Sequence, residues 1–485
     1  MTGSRVVARN VLASLVTQAI SWLLTFIVTL YLPRYVGATG LGKLAFAGSF
    51  VSIFAVMVPL GTSSVLVREI ARDRERTAEL LSAAIAVRVV TGLLATCGAI
   101  LLIRAMGYPA ITRSLVVASS LGMMVIALND AIGSAMQGHE NIPRQSIAII
   151  IEKCLSSTIS IVLVIMKAPL WSLASVTLFS GAVSLMVNLS TIRLMMARWL
   201  WPTKQAIKYI VTAGLPFVGY LVCRTLYGQT DPVVLNLVTN DKTVGWYAAA
   251  FRLVGSTMII PVALTSAVLP TLSRLHRDSA EQFNALARKL LAMIVICGVP
   301  ITAIFIGAPD RLIALLHYPH DFIGSVPVLQ VDGLAVFMFY LGCVLGTVVV
   351  SSDGQSKMMR ASFVACFLGI PACFAGSYIT HKLWANGAIG AAFSDVLLEI
   401  YLVWAYIQML PAHTFGTESI KLFFKAVAAC VPMGILMYFT RHSNAVFGAI
   451  AAGLPLYLIA CWKLKCLDMQ YLLSMREMFS RRSKA

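Results

Sequence analysis

Fourteen apolar runs of 19 to 25 residues recur along this 485-residue chain, at 11–32, 44–66, 80–103, 114–136, 146–166, 170–191, 208–228, 246–270, 287–308, 326–350, 359–379, 387–410, 422–440 and 444–462. A helix of about 20 apolar residues crosses the hydrocarbon core of a bilayer, and a backbone in lipid must satisfy its own polar groups, so each run is read as a transmembrane helix. The remaining residues form tails and connections averaging roughly 14 residues, too short for a folded aqueous domain. Composition agrees: 59% of residues are hydrophobic and 12% charged, against about 25% charged in soluble domains. A soluble enzyme and a nucleic-acid-binding domain are thereby excluded, although the net charge of +18 would otherwise invite the latter.

The excess cations set the expected orientation. With the N-terminus inside, 26 of the 38 Lys and Arg fall on inside segments, nine fall outside, and Arg88, Arg224 and Arg252 lie within spans. Cytoplasmic loops concentrate Lys and Arg, so both termini are expected in the cytoplasm. The ten cysteines lie almost entirely inside apolar runs with no CxxC or Cys/His cluster, which reads as packing and not as metal or disulfide chemistry. No cofactor is expected.

Shifting the sequence by 203 residues lays the second run on the eighth. Gly42, Ala45, Ala47, Val51, Thr62, Ser63, Val65, Leu66 and Arg74 then meet Gly245, Ala248, Ala250, Val254, Thr265, Ser266, Val268, Leu269 and Arg277, and both copies carry TSxVL. Six spans separate them, so the copies run the same way through the membrane. This implies a parallel repeat of two six-helix lobes: residues 1–206, residues 207–415, and an appended pair of helices with a basic cytoplasmic tail at 416–485. Substrate is expected between the lobes near the midplane, with alternating access by rocking.

Ionisable groups inside the hydrocarbon are the candidate site residues. Tyr220, Arg224, Tyr227 and Asp231 stand at i, i+4, i+7 and i+11, one face of the seventh helix. Such a stripe is expected to face a hydrated cavity. Arg224 and Asp231 are two turns apart, which leaves Arg224 available to an anion. Arg252 in the eighth helix either faces that cavity or snorkels outward, and Arg88 in the third either binds substrate or snorkels to the cytoplasmic surface. Asp395 and Glu399, at i and i+4 in the twelfth helix, cannot both ionise easily in a low dielectric. Either one is protonated, which suits ion coupling, or a basic neighbour pairs with them. Asp130, in the fourth helix, is a further coupling candidate.

GATGLGKL at 37–44 matches the start of a phosphate-binding loop but places Leu44 where Ser or Thr must hold magnesium, and it lies between two membrane spans. It is read as a Gly-rich turn. The longest outside loop, 309–325, carries Asp310, Arg311, His317, His320 and Asp321, thin support for a membrane glycosyltransferase or polymerase.

The strings LPRYVGATGLGKLAFA, GTSSVLVREIARDRER, VGWYAAAFRLVGS and LPTLSRLHRD resemble the multidrug/oligosaccharidyl-lipid/polysaccharide exporter superfamily, in particular its branch of lipid-linked oligosaccharide flippases. The resemblance implies two lobes around a cationic cavity that takes the pyrophosphate and sugars of a polyprenol carrier from the cytoplasmic to the outer leaflet of the bacterial inner membrane. It implies coupling to an ion gradient and not to ATP, with polysaccharide polymerases and glycosyltransferases as partners. Arg252 and Arg224 are the positions to which its phosphate-binding role carries. Relatives that flip lipid II carry Arg in the first helix, and multidrug relatives commonly carry an acid there, whereas residues 11–32 hold no charge. An ion-coupled drug antiporter and a lipid II flippase are the alternative readings.

Overall fold

The computed structural model describes residues 3–193, 200–411, 414, 416–441 and 443–466, without the side chains of residues 3–8, 11, 12, 15 and 220. Among these residues every regular element is helical. In chain order the α-helices are α1 (Gly3–Ala55), α2 (Thr62–Arg72), α3 (Thr77–Ala105), α4 (Ala110–Gly138), α5 (Ile142–Ile165), α6 (Leu170–Arg193), α7 (Lys204–Val238) and α8 (Asp241–Thr257). They continue with α9 (Ile259–Asp278), α10 (Ala280–Gly307), α11 (Pro309–Leu315), α12 (Ser325–Ser351), α13 (Gln355–Trp384), α14 (Gly387–Met409), α15 (Thr417–Thr440) and α16 (Ala445–Lys463).

Twelve of the described segments are long and apolar enough to cross a membrane, and the bent α7 raises this to thirteen. Two of the fourteen sequence runs share α1, which changes direction at Gly37, a residue at φ 64°. Only glycine adopts that geometry without penalty, so the Gly-rich turn expected at 37–44 is a glycine corner between two helical segments. Large side chains such as Leu94, Phe179, Phe367 and Trp404 are more than half exposed, the expected surface of a multi-pass membrane protein, whose solvent is lipid.

Two compact units divide between Ala249 and Ala250. The sequence boundary at 206/207 lies earlier, because α7 packs on α1, α2 and α3 and so joins the first unit. In that unit α4 packs against α6 and α3, and α1 against α5. Asn188 donates to Asn129 Oδ1 at 2.8 Å, and Asn129 to the Gly181 carbonyl at 2.9 Å, a polar tie between α4 and α6. In the second unit α14 packs between α12 and α13, and α10 against α12. The α15–α16 pair, expected as an appendage, seats on α10, where Tyr457 donates to the Ile296 carbonyl at 2.9 Å. The basic tail beyond residue 466 lies outside the described residues.

The two repeat copies share their irregularities. Helix α1 ends at Ala55 and α2 resumes at Thr62, while α8 ends at Thr257 and α9 resumes at Ile259. A shift of 203 residues carries Ala55, the end of α1, onto Met258, the residue between α8 and α9, whereas residues 56–61 map into α9. The Gly37 corner likewise maps onto Asn240, between α7 and α8.

At the end of α2 the string REIARDRER builds a charged cluster. Arg68 and Arg72 pair with Glu69 at 2.9 and 3.5 Å, Arg74 with Glu140 at 3.5 Å, and Arg76 with Glu79 at 3.5 Å. Burial pushes the Glu69 carboxyl up, but hydrogen bonds from Tyr209 and Arg68 and the charge of Arg72 outweigh it and hold the group below its ordinary value.

Candidate functional site

The break between α1 and α2 creates the polar centre of the first unit. Gly61 caps α2 at φ 72°, and a Cβ there would come within 2.2 Å of the Gly214 carbonyl oxygen of α7. A non-glycine residue is thus excluded twice, by conformation and by contact. The turn leaves the Val58 carbonyl outside the helical ladder, and Thr91 donates to it at 2.7 Å. It also presents the two hydroxyls that begin TSxVL, Thr62 and Ser63, to α3.

Arg88 receives them. Its guanidinium is fully buried: Nη2 donates to Ser63 Oγ at 2.7 Å and to Thr62 Oγ1 at 3.4 Å, and Nη1 donates to the Ala127 carbonyl. Nη1 also pairs with Asp130 Oδ2 at 2.9 Å, and Ser63 donates to the same oxygen at 2.6 Å. The Arg88 side chain is 0% exposed and that of Asp130 is 52% exposed. The buried cation thus holds an outward-facing carboxylate in place. Arg88 does not snorkel; three helices enclose it. An unpaired guanidinium at such depth costs several kcal/mol, so a carboxylate plus oxygen acceptors is the arrangement its burial demands. The nearest Arg88 atom to escape this satisfaction is Nε, which has no hydrogen-bond partner.

Arg224 behaves differently. It is exposed on α7, and no ion pair joins it among the described residues. Tyr227, one turn on, is half-buried, and Asp231 is buried, accepting from the Tyr247 hydroxyl at 3.3 Å. Along this stretch of α7 Arg224 is thus exposed, whereas Asp231 is packed within the first unit. The side chain of Tyr220 lies outside the described residues. Pro216 and Pro232 both sit within α7, and its halves meet at 50°. The bend falls at residue 220, so Arg224, Tyr227 and Asp231 all belong to the second half of α7.

In the second unit Arg252 is half-buried within electrostatic reach of Tyr318, on the loop after α11. Asp395 and Glu399 are both buried on α14. A Cβ on Gly342 would lie 3.2 Å from Glu399 Oε2, which places that carboxylate against α12. The neighbouring Cys343 Sγ lies 3.8 Å from the hydroxyl of Thr265, the repeat counterpart of Thr62. Equivalent TS strings thus have different partners, the Arg88 guanidinium in the first unit and Cys343 in the second. In the 309–325 loop Arg311 pairs with Asp310 at 3.6 Å and donates to the Arg441 carbonyl at 3.0 Å, a tether to the end of α15.

Ser63 and Thr62 were legible in the sequence only as repeat markers. Their hydroxyls before a helix, beside a span carrying one internal Arg, were the available signal. Among the described residues no group of three or more His, Cys, Asp or Glu could hold a metal ion.

With the helical order and the buried charges in place, comparison with known families is decisive. The profile described as "Polysaccharide biosynthesis protein" matches residues 7–276. The chain belongs to this family. Curated protein sequences give no match. Among solved structures, one titled as the lipid II flippase MurJ in an inward closed conformation superposes with a TM-score of 0.72 at 14% identity, covering 93% of this chain and 97% of the other. An inward-facing multidrug resistance MATE family transporter of the MOP superfamily gives 0.62 at 16%, covering 82% and 98%. A MOP superfamily transporter from Pyrococcus furiosus, titled for the reverse polarity of its binding pocket, gives 0.56 at 16%, covering 84% and 96%. This member of the polysaccharide biosynthesis family thus has the fold of the MOP exporter superfamily.

Proposed function

We propose that the protein is a flippase that carries polyprenyl-pyrophosphate-linked oligosaccharide from the cytoplasmic to the outer leaflet of the bacterial inner membrane by alternating access. The observation that carries this reading is Arg224, a cation exposed on a membrane helix with no ion pair among the described residues. A guanidinium in that position needs an aqueous or anionic neighbour and not lipid, and a pyrophosphate meets its fork bidentately. Family membership supports a surface-polysaccharide precursor, and the superfamily fold supports transport. Arg252 provides a second cation, and Tyr227 and Tyr220 apolar faces for sugar rings. In this reading Arg88 acts through Asp130, whose exposed oxygens accept sugar hydroxyls. Asp395 and Glu399 couple transport to an ion gradient by sharing a proton or cation, with Asp231 as a lesser contributor. No covalent step is involved. Polymerases and glycosyltransferases act before and after it.

The test is leaflet-resolved labelling of lipid-linked oligosaccharide in cells lacking the protein and in cells supplied with wild type, Arg224→Ala or Arg224→Lys. Precursor is expected to accumulate on the cytoplasmic side without the protein. Wild type restores outward exposure, and Arg224→Ala fails at normal membrane abundance. Unchanged exposure of every lipid-linked sugar on deletion, with no paralogue taking over, overturns the reading. Restoration by Arg224→Ala together with drug sensitivity caused by Glu399→Gln would favour the antiporter, and trapping of lipid II alone the lipid II flippase.

A further inference from the structure

The second unit carries a cleft that the transport reading leaves unused. It encloses about 410 Å³ between the beginnings of α10 and α15 and the end of α16. Its charged lining is Arg288, Lys289, Lys421, Lys425 and Lys465, with Glu418 the one carboxylate among the lining residues. Arg288, Lys421, Lys425 and Lys465 are exposed. Five cations drawn from α10, α15 and the turn after α16 converge on one space and repel one another, and an anion relieves that repulsion.

An apolar groove of about 350 Å³ adjoins it, lined by Leu291, Phe337, Leu341, Trp404 and Phe423 among others. Ser419 and Leu422 line both spaces. Head and groove are therefore contiguous, and they run from the cation-rich end of the helices toward the hydrocarbon. The positive-inside count puts this end on the cytoplasmic side, where the leaflet is anionic.

We infer that the cleft and groove together form a binding site for an anionic glycerophospholipid of the cytoplasmic leaflet, its phosphate held by Lys421, Lys425, Arg288 and Lys465 and an acyl chain laid along α10, α12 and α15. The charge complementarity selects an anion, and the adjoining groove selects one with a tail over a free phosphate. The site is independent of the transported substrate. It acts as a clamp joining α15 and α16 to α10, because the headgroup bridges cations from all three.

The experiment uses the purified full-length protein in phosphatidylcholine nanodiscs with increasing phosphatidylglycerol, reading lipid retention by native mass spectrometry. Wild type is expected to retain phosphatidylglycerol over phosphatidylcholine. Lys421→Gln/Lys425→Gln loses about fivefold in retention per cation removed, the effect of a basic residue at an anionic membrane surface. Lys421→Arg/Lys425→Arg retains the preference, and Lys204→Gln/Lys208→Gln, which removes two exposed cations at the start of α7, leaves it unchanged. Equal retention of the two lipids by wild type overturns the site without recourse to any variant. So does an equal loss in the Lys204/Lys208 control. Full displacement of phosphatidylglycerol by millimolar inorganic phosphate overturns the lipid and leaves an ion site.

Discussion

Gly42 and Gly245 meet each other's helices through the same contact used twice. A Cβ on Gly42 would fall 1.7 Å from the Asp241 carbonyl oxygen, and a Cβ on Gly245 would fall 1.8 Å from that of Ala38. The shift of 203 residues that aligns Gly42 with Gly245 also aligns Ala38 with Asp241. The repeat inferred from sequence identities is thus realised as a reciprocal backbone contact between α1 and α8, flanked by the Lys43–Asp241 ion pair at 3.9 Å.

Either glycine replaced by alanine forces the helices apart against backbone atoms that have no rotamer to adjust. Gly42→Ala and Gly245→Ala are each expected to lower stability by about 3 kcal/mol, the upper range for overpacking. The double variant should lose much less than twice this, since one displacement relieves both overlaps. Gly48→Ala, where a Cβ meets open space, serves as the control. Thermal unfolding in detergent of the four proteins checks the pattern; a Gly48→Ala midpoint as low as that of Gly42→Ala contradicts it.

Removing Asp130 strands Arg88. Asp130→Ala leaves a buried guanidinium with only neutral acceptors and should destabilise the first unit by about 3 kcal/mol. Arg88→Met/Asp130→Asn, which removes both charges, should recover most of this. If the double variant unfolds as early as Asp130→Ala, the ion pair is not what holds α3 to α4.

His139 introduces a pH dependence. Burial first, then the charge of Arg74, lowers its pKa below the usual 6.5, and its ring lies 2.8 Å from the Thr77 hydroxyl. The folded protein therefore binds this proton less readily than the unfolded chain does. Its contribution is present above the ordinary value and is lost as pH falls through the lowered one. The unfolding midpoint should drop between pH 8 and pH 5, and by less in His139→Gln. Identical pH profiles for the two proteins would remove His139 from the account.

Asp395 and Glu399 provide the last test. Both are buried on one face of α14, so their neutral analogues should fold while uncoupling transport. Reconstituted Asp395→Asn and Glu399→Gln are expected to lose about tenfold or more of gradient-driven transport, the scale of one lost ionic contact, while keeping substrate binding through Arg224. Gradient dependence equal to wild type in both would eliminate them as coupling groups.

The apolar runs made the helices readable because a bilayer imposes both length and composition on whatever crosses it. Arg88 and Asp130 were each recognisable as costly charges, but nothing along the chain reports that residues 42 apart on neighbouring helices would neutralise one another. Helical spacing likewise placed Arg224 and Asp231 on one helix, but it does not report that Tyr247 of the next helix donates to Asp231 while Arg224 stays exposed. Gly42 and Gly245 were visible as an aligned pair, yet alignment carries no information that two equivalent positions also touch. The cleft at Lys421 and Lys425 is not legible along the chain because it forms only where the start of α10 meets the start of α15 and the turn after α16.

The reciprocal glycine contact also bears on origin. A half-length ancestor carrying one such glycine would make this contact with a second copy of itself, using one surface patch twice about a two-fold axis, as most homodimers do. Fusion of the two genes would then leave α1 and α8 as the former subunit interface. Its glycines would be held against drift by each other's backbone.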